Sequence, residues 1–413
     1  MPYKLKTRNT PRKKEVRKNK KPDNGAGVYN RYTTGLDVAL AFGFVLIPTP
    51  KINDTDCKNA KELKTDKNGD GDTNLIAKPE EKLALLRMYQ EEGMQSWQQP
   101  AMVYYEGMVE RERGTRDARE RLYHLDILNT HRSIAEAIII ETGFAILRDS
   151  GFVDMVLEIN SLGDKDSMAR YGRELTNYYR SHIDDLPSSC KHAFKKSVFD
   201  ILNCDHEKCK ELAESAPKPI NFLSELSRIH FKELLEYLES ADVPYRIASN
   251  LVGDRDFCSH TTYRIIGREK DGEMKTLARG IRYNSLSKRA GFKKEMGATG
   301  LTICFRKKKA EKTMPKKVKL PRFYFIQMGD EAKHKSLPLI EMLRQEGIRV
   351  SHTITRDKLG AQLSVAEQVA TSHVIIMGQK EFYENVVLVR RMSDRSQETI
   401  HLDNLVSYLK KIK

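Results

Sequence analysis

EINSLGDKDSMARYGRELTNYYRSHIDDL (158–186) holds a strand and a helix back to back. MVLEINSL (155–162) reads as a strand, and KDSMARYGRELTNYYRSHI (165–183) as a helix. CKELAESA (209–216) and LSELSRIHFKELLEYLESA (223–241) are helical too, so residues 163–247 form a helical region set between two strand-bearing parts. Upstream, TTGLDVALAF (33–42) reads as a helix, Gly43 as a break, and FVLIPTP (44–50) as a buried strand closed by prolines. EEKLALLRMYQEEG (80–93) is an amphipathic helix ending at glycine. AMVYYEGMVER (101–111) and RLYHLDILNT (121–130) are two strands, and RSIAEAIIIETGFAILRDSG (132–151) is a long helix. Residues 250–305 return to strands and turns. From about residue 320, strands (323–328, 348–355, 373–378, 385–392) alternate with helices (339–347, 363–372, 402–412), an α/β domain with a mixed sheet.

The 413 residues carry a formal net charge of +15. Residues 1–22 hold ten Lys/Arg against Glu15, and residues 306–319 hold eight against Glu311. The remainder is close to neutral, so the excess sits in an arm and a linker suited to a polyanion. Apolar residues make up 39% of the chain, enough for packed cores. No apolar run reaches the roughly 18–20 residues a spanning helix needs. ALAFGFVLI (39–47) is followed by PTP rather than a cleavage site. A cytoplasmic protein with no membrane partner is expected.

Two metal readings are set aside at this level. DKNGDGD (66–72) opens like a calcium loop, but Ala77 stands where the twelfth-position Glu belongs. Cys190, Cys204 and Cys209, with His192 and His206 nearby, contain no C-x-x-C pair. They are expected to be small buried side chains, with no metal and no need of one for folding.

Several colinear stretches resemble histidyl-tRNA synthetase, a class II aminoacyl-tRNA synthetase. The segment 158–186, FDILNCDHEKCKELAESAP (199–217) and HFKELLEYLESADVPYRIASNLV (230–252) look like that family's insertion between motifs 2 and 3. FGFVLIPTP (42–50) resembles motif 1, AKPEEKLALLRMY (77–89) the L-R-P-E-G-T segment, and VERERGTRDARERLYHLDIL (109–128) motif 2. LGAQLSVAEQVATSHVIIMGQKE (359–381) resembles the anticodon-binding domain. The resemblance implies a class II α+β core, an antiparallel sheet flanked by helices, over 27–162 and 248–305. A helical insertion over 163–247 joins it, with a disordered basic arm at 1–26 and a basic linker at 306–319. An α/β anticodon-binding-like domain covers 320–413, and the family's usual state is a homodimer.

In that family, arginines of motifs 2 and 3 and of L-V-R-G-L-D-Y-Y bind ATP phosphates and stabilise the transition state of histidine activation. Here Gly253 and Ile303 stand at two of those arginines, and Leu125 and Asn129 at a Gln and a Glu that read the substrate. No confident catalytic residue is left. The positions still recognisable as an ATP and amino-acid pocket are Glu80, Lys82, Arg111, Asp256, Phe257, Arg282 and Tyr283. Glu80 and Arg111 fit an ion pair equally well, and Arg282 and Tyr283 fit the support of a turn. His124 reads as a satisfied core histidine. The reading that results is a synthetase-like protein without aminoacylation activity that binds tRNA or other RNA. Its RNA contacts would be Lys13, Lys14, Arg17, Lys18, Lys307, Lys308, Lys309, Arg356, Lys358 and Gln362. The alternatives are an active, divergent histidine–tRNA ligase, which would need ATP and Mg²⁺, and a synthetase-like regulatory subunit of histidine biosynthesis.

Overall fold

The computed structural model describes residues 27–61, 63, 78–108, 120–202, 204, 206–252, 255–270, 272–306 and 315–412. The arm, the calcium-like loop, the motif 2 loop with Arg111, and Gly253, Asp254, Lys307, Lys308 and Lys309 lie outside these.

Strand β1 (Gly27–Tyr29) leads into helix α1 (Thr34–Ala41), whose first turn is capped by the Thr33 hydroxyl accepting from the Leu36 N–H at 3.1 Å. Gly43, at φ +85°, turns the chain into β2 (Val45–Leu46). This strand is two residues long and Leu46 is exposed, a correction to the longer buried strand expected there; only its neighbours Phe44 and Ile47 are buried. Helices α2 (Asp54–Ala60) and α3 (Pro79–Glu91) follow, then the antiparallel pair β3 (Ala101–Met108) and β4 (Glu120–Leu128). Helix α4 (Ile134–Asp149) precedes β5 (Phe152–Gly163). Helices α5 (Lys165–Ser181), α6 (Ser188–Lys196), α7 (Phe199–Leu202), α8 (Glu207–Ser215) and α9 (Glu225–Ser240) come next. The chain re-enters the sheet with β6 (Tyr245–Ile247), β7 (His260–Glu269) and β8 (Lys275–Arg282), then α10 (Leu286–Arg289) and β9 (Ala298–Arg306).

Eight strands form one sheet in the order β2-β3-β4-β9-β8-β7-β5-β6. It is antiparallel except at its two edges, where β2 joins β3 and β6 joins β5 in parallel. Helix α4 is apolar nearly all round, so it is buried on every side, with the sheet below and α1 and α9 beside it. Gly143 makes the close approach possible: a Cβ there would lie 2.5 Å from the Leu301 side chain of β9. Two elements of the 163–247 stretch pack with the sheet rather than apart from it. β6 pairs with β5, and α9 puts Phe231, Leu234 and Leu238 into the α4 core. Helical periodicity reports an apolar face, not which partner covers it.

The chain then forms β10 (Lys316–Val318), β11 (Phe323–Gln327), α11 (Asp330–Gln345), β12 (Val350–His352), α12 (Leu359–Gln368), β13 (His373–Met377), α13 (Gln379–Tyr383), β14 (Val386–Arg391), β15 (Gln397–His401) and α14 (Leu402–Lys411). The second sheet has the order β12-β11-β13-β14-β15, parallel in its first three strands and antiparallel beyond, the mixed sheet expected. Strand β15 is polar and largely exposed, so it carries no apolar alternation by which to find it. Among the described residues no helix is long and apolar enough to cross a membrane.

Charged and polar bridges join the two parts. Arg132 pairs with Asp357, Arg148 with Glu341 at 3.0 Å, Arg344 with Asp149 at 2.7 Å, and Gln98 donates to Thr353 at 2.7 Å. Between them sits Glu141 of α4, whose Oε2 is buried with no hydrogen bond among the described residues. Burial raises its pKa to about 7, with Arg148 opposing, Glu341 adding repulsion and Arg344 opposing again. A carboxyl raised this way favours the fold while protonated. Its contribution is therefore full below the unfolded value of about 4.3 and is lost as pH rises through about 7. Glu141→Gln keeps the neutral shape and should raise stability at pH 8 by up to about 3 kcal/mol, with little change at pH 4.5. Urea melts at both pH values check this; parallel pH profiles for the two proteins would refute it.

Candidate functional site

Side chains alternate across β4 and β9. Tyr123, Leu125, Ile127, Leu301 and Ile303 lie in the core that α4 fills. His124, Asp126, Gly300 and Thr302 therefore look out on the opposite face, beneath α3. There Lys82 of α3 places its Nζ 2.7 Å from Asp126 Oδ1, and the Tyr283 hydroxyl donates to the same oxygen at 2.7 Å. The ammonium also lies 5.3 Å from the Tyr283 ring centroid. All three side chains are buried. Gly300 is required by this arrangement, because a Cβ there would fall 2.0 Å from Asp126 Oδ1 and 2.8 Å from Lys82 Nζ. Burial raises the Asp126 pKa, and Lys82, then Tyr283 and Tyr105, oppose that rise. Asp126 Oδ2 is buried with no hydrogen bond among the described residues. His124 stacks on Tyr105 at 4.5 Å and pairs with Thr302 Oγ1 at 3.1 Å. Burial first, then Lys82 and Lys78, hold its pKa well below the usual imidazole value, so the ring is neutral. It is the satisfied core histidine expected.

The arrangement is a desolvated ion pair under an aromatic lid. Several residues assigned to this pocket lie elsewhere. Leu125 and Ile303 point to α4, away from Lys82 and Asp126, because the residue aimed into the site at this level of β4 is Asp126. Asn129 ends β4 with φ +68° and donates to Gln99 at 3.0 Å. Arg282 also turns to the α4 side. It is fully buried and forms an ion pair with Glu136, and its guanidinium donates to the carbonyls of Thr130 and Arg132 at 2.9 and 3.1 Å. Arg282 is thus a packing anchor, not a pocket residue. Glu80 is half-buried in the first turn of α3, Phe257 is buried, and Asp256 is exposed. Arg255, close to the vacated arginine position in sequence, is directed to the helical segment. It donates to Ser197 at 2.8 Å and lies over the Phe199 ring at 4.6 Å. Sequence reasoning passed over Asp126 and Glu136. The signal for Glu136 was an acid inside an otherwise apolar run.

A second candidate site is basic. A cleft of about 550 Å³ opens between α1, β10, the start of β11, the end of α11 and α14. Lys316, Lys317, Lys319, Arg322, Arg349 and Lys410 line it, with Asp37 the one carboxylate among the lining residues. Asp37 is engaged by Arg349, and Lys410 pairs with Glu346 at 2.7 Å. Lys317 and Lys319 are exposed. Strand β10 pairs antiparallel with β1, Gly27 opposite Val318 and Tyr29 opposite Lys316. The residues that follow the arm are thus held beside the end of the linker, so part of the linker is a strand. Of the RNA contacts expected in the last domain, Lys358 is exposed and Arg356 half-buried at the start of α12. Gln362 is a correction. It is fully buried, and its side chain bonds the backbone of Gln327 through N–H and C=O at 3.3 and 2.8 Å. Lys13, Lys14, Arg17 and Lys18 are outside the described residues.

Cys190 and Cys209 are small buried side chains, as expected, and Cys204 is half-buried. The sulfurs of Cys190, Cys204 and Cys209 lie within 4.8 Å of one another, and Cys57, Cys258 and Cys304 are not part of the group. Spacing alone concealed this, because α6, α7 and α8 fold back on each other.

Residues 323–412 match the family profile described as an anticodon binding domain. The histidine–tRNA ligase of Fervidobacterium nodosum is 31% identical over 394 residues, covering 91% of this chain and 92% of that protein. That of Dehalococcoides mccartyi is 28% identical over 391 residues, 91% and 93% of the two chains. Among solved structures, apo histidyl-tRNA synthetase of S. aureus aligns at 24% identity and a TM-score of 0.48, over 91% and 93%. With 31% identity running nearly end to end, through the eight-stranded sheet, the helices of 165–240 and the last α/β domain, the chain belongs to the histidine–tRNA ligase (histidyl-tRNA synthetase) family.

Proposed function

We propose that this family member binds tRNA or another RNA and does not activate histidine. The observation that carries the reading is the basic cleft beside the anticodon-binding-type domain. Its lysines belong to the end of the linker, and the paired strands β1 and β10 hold the residues that follow the arm at the same edge. A lysine row at a domain junction suits phosphates. The second half of the reading rests on the Lys82–Asp126–Tyr283 cluster, which closes on itself where the resemblance puts a substrate pocket. In this reading ATP and Mg²⁺ are not cofactors. A working ligase is the second reading. It is favoured by the identity to named ligases and by the unpartnered Asp126 Oδ2, which a buried ammonium would satisfy.

RNA titrations at two salt concentrations test the first reading. Deleting residues 1–22, or reversing charge with Lys317→Glu and Lys319→Glu, should weaken binding to unrelated RNAs alike. The slope of log K against log salt should flatten by roughly 0.7–0.9 for each phosphate no longer neutralised. Equal affinity and slope in all three proteins would remove the arm and the cleft from the interface.

A further inference from the structure

We propose that Cys190, Cys204 and Cys209 form a Zn²⁺ site that clamps the short helices between α5 and α9. The three sulfurs lie within 4.8 Å of one another, with Cys190 and Cys204 3.5 Å apart. Cys190 and Cys209 are buried and Cys204 half-buried, so the group has a dry side and one side open to solvent. Three convergent thiols are a donor set for a soft ion and a poor one for Mg²⁺ or Ca²⁺.

Helix geometry supports the assignment independently of distance. Cys190 is the third residue of α6 and Cys209 the third of α8, both nine-residue helices. Each thus sits in a first turn, where the helix dipole favours a thiolate. Cys204 follows α7, its N–H held by the Ile201 carbonyl at 3.1 Å. Helices of nine, four and nine residues are too short to persist on their own, and an ion bonded to one sulfur from α6, one from α8 and one from the turn after α7 would tie them together.

Binding of a dication to the three sulfurs would release their thiol protons to solvent. No described His, Asp or Glu joins the group. His206 lies between two of the cysteines in sequence, but its Nδ1 accepts the Lys208 N–H at 3.3 Å and so caps α8.

The test uses the full chain, purified under reducing conditions from zinc-supplemented cells. Metal analysis should find about one zinc per chain. Co²⁺ added to the apo protein should give visible tetrahedral bands and a near-ultraviolet thiolate charge-transfer band. Cys204→Ser and Cys209→Ser should each weaken Co²⁺ and Zn²⁺ binding roughly tenfold or more, and Cys304→Ser should not. A chelator should lower the melting temperature of the wild-type protein and leave that of Cys204→Ser unchanged. Should Cys209→Ser not fold, the partly exposed Cys204 variant and the wild-type cobalt spectrum decide. Folded, reduced protein without zinc and without a cobalt–thiolate band would overturn the proposal. So would a Cys190–Cys204 disulfide, seen as a mass two hydrogens lower and two fewer titratable thiols.

Discussion

ATP–pyrophosphate exchange with histidine and Mg²⁺ should stay at background. Activation places negative charge on the pentacovalent phosphorus and on the departing pyrophosphate, and the family meets it with arginines. A missing interaction of this kind costs on the order of 3–4 kcal/mol, a hundred- to a thousandfold in rate. Two such interactions, at Gly253 and Ile303, compound to roughly ten-thousand- to a millionfold. The geometry offers no local substitute among the described residues. Arg282 is spent on Glu136 and the carbonyls of Thr130 and Arg132, and Arg255 is spent on Ser197 and Phe199. Ile303 faces α4, so an arginine restored there would enter the apolar core rather than meet a phosphate. Lys82, the cation in the site itself, is bound to Asp126 at 2.7 Å and would have to leave a buried carboxylate behind to serve ATP. Exchange at a rate typical of synthetases would place the chain among working ligases.

Much of the architecture was legible because its signals are local. The apolar run of α4, the glycines at 43, 93 and 151, and the alternation of strands and helices after residue 320 each lie within one element. All three glycines have positive φ. The candidate site was less legible because its chemistry is made across the chain. Lys82 and Asp126 are 44 residues apart and Tyr283 is 157 beyond Asp126. Motif matching assigned Leu125 and Arg282 to the pocket, yet strand alternation turns both toward α4. Gln362 looked like a polar surface residue because a sequence does not reveal that its amide completes the backbone hydrogen bonding of Gln327. The three cysteines failed a spacing rule built for adjacent ligands, although three short helices suffice to bring them together.

Arg282→Met should destabilise the protein by about 3–5 kcal/mol at neutral pH, since it leaves a buried carboxylate without its cation. Both partners of the pair are wholly inaccessible to solvent. Glu136 accepts from Arg282 Nε at 2.6 Å, from Thr261 at 2.7 Å and from His230 at 2.9 Å. Burial alone would raise the Glu136 pKa, but Arg282 and then His230 hold it well below the usual carboxylate range. A depressed carboxylate contributes stability above its unfolded pKa of about 4.3 and loses it as pH falls through the folded value. In Arg282→Met the balance shifts toward burial, which favours the protonated acid, with Thr261 and His230 left as its hydrogen-bond partners. The gap between wild type and variant should therefore be widest near pH 7.5 and shrink by pH 4.5. The carbonyls of Thr130 and Arg132 lose their donor as well, so protonation recovers only part of the loss. Arg282→Met combined with Glu136→Leu should recover more than the drop to pH 4.5 does, since it removes the charge rather than neutralising it. Urea unfolding of wild type, Arg282→Met, Glu136→Leu and the double variant at the two pH values measures the coupling directly. A loss under 1 kcal/mol at pH 7.5 would mean that Glu136 is solvated in Arg282→Met, and the anchor between β8 and α4 would then rest on apolar packing alone.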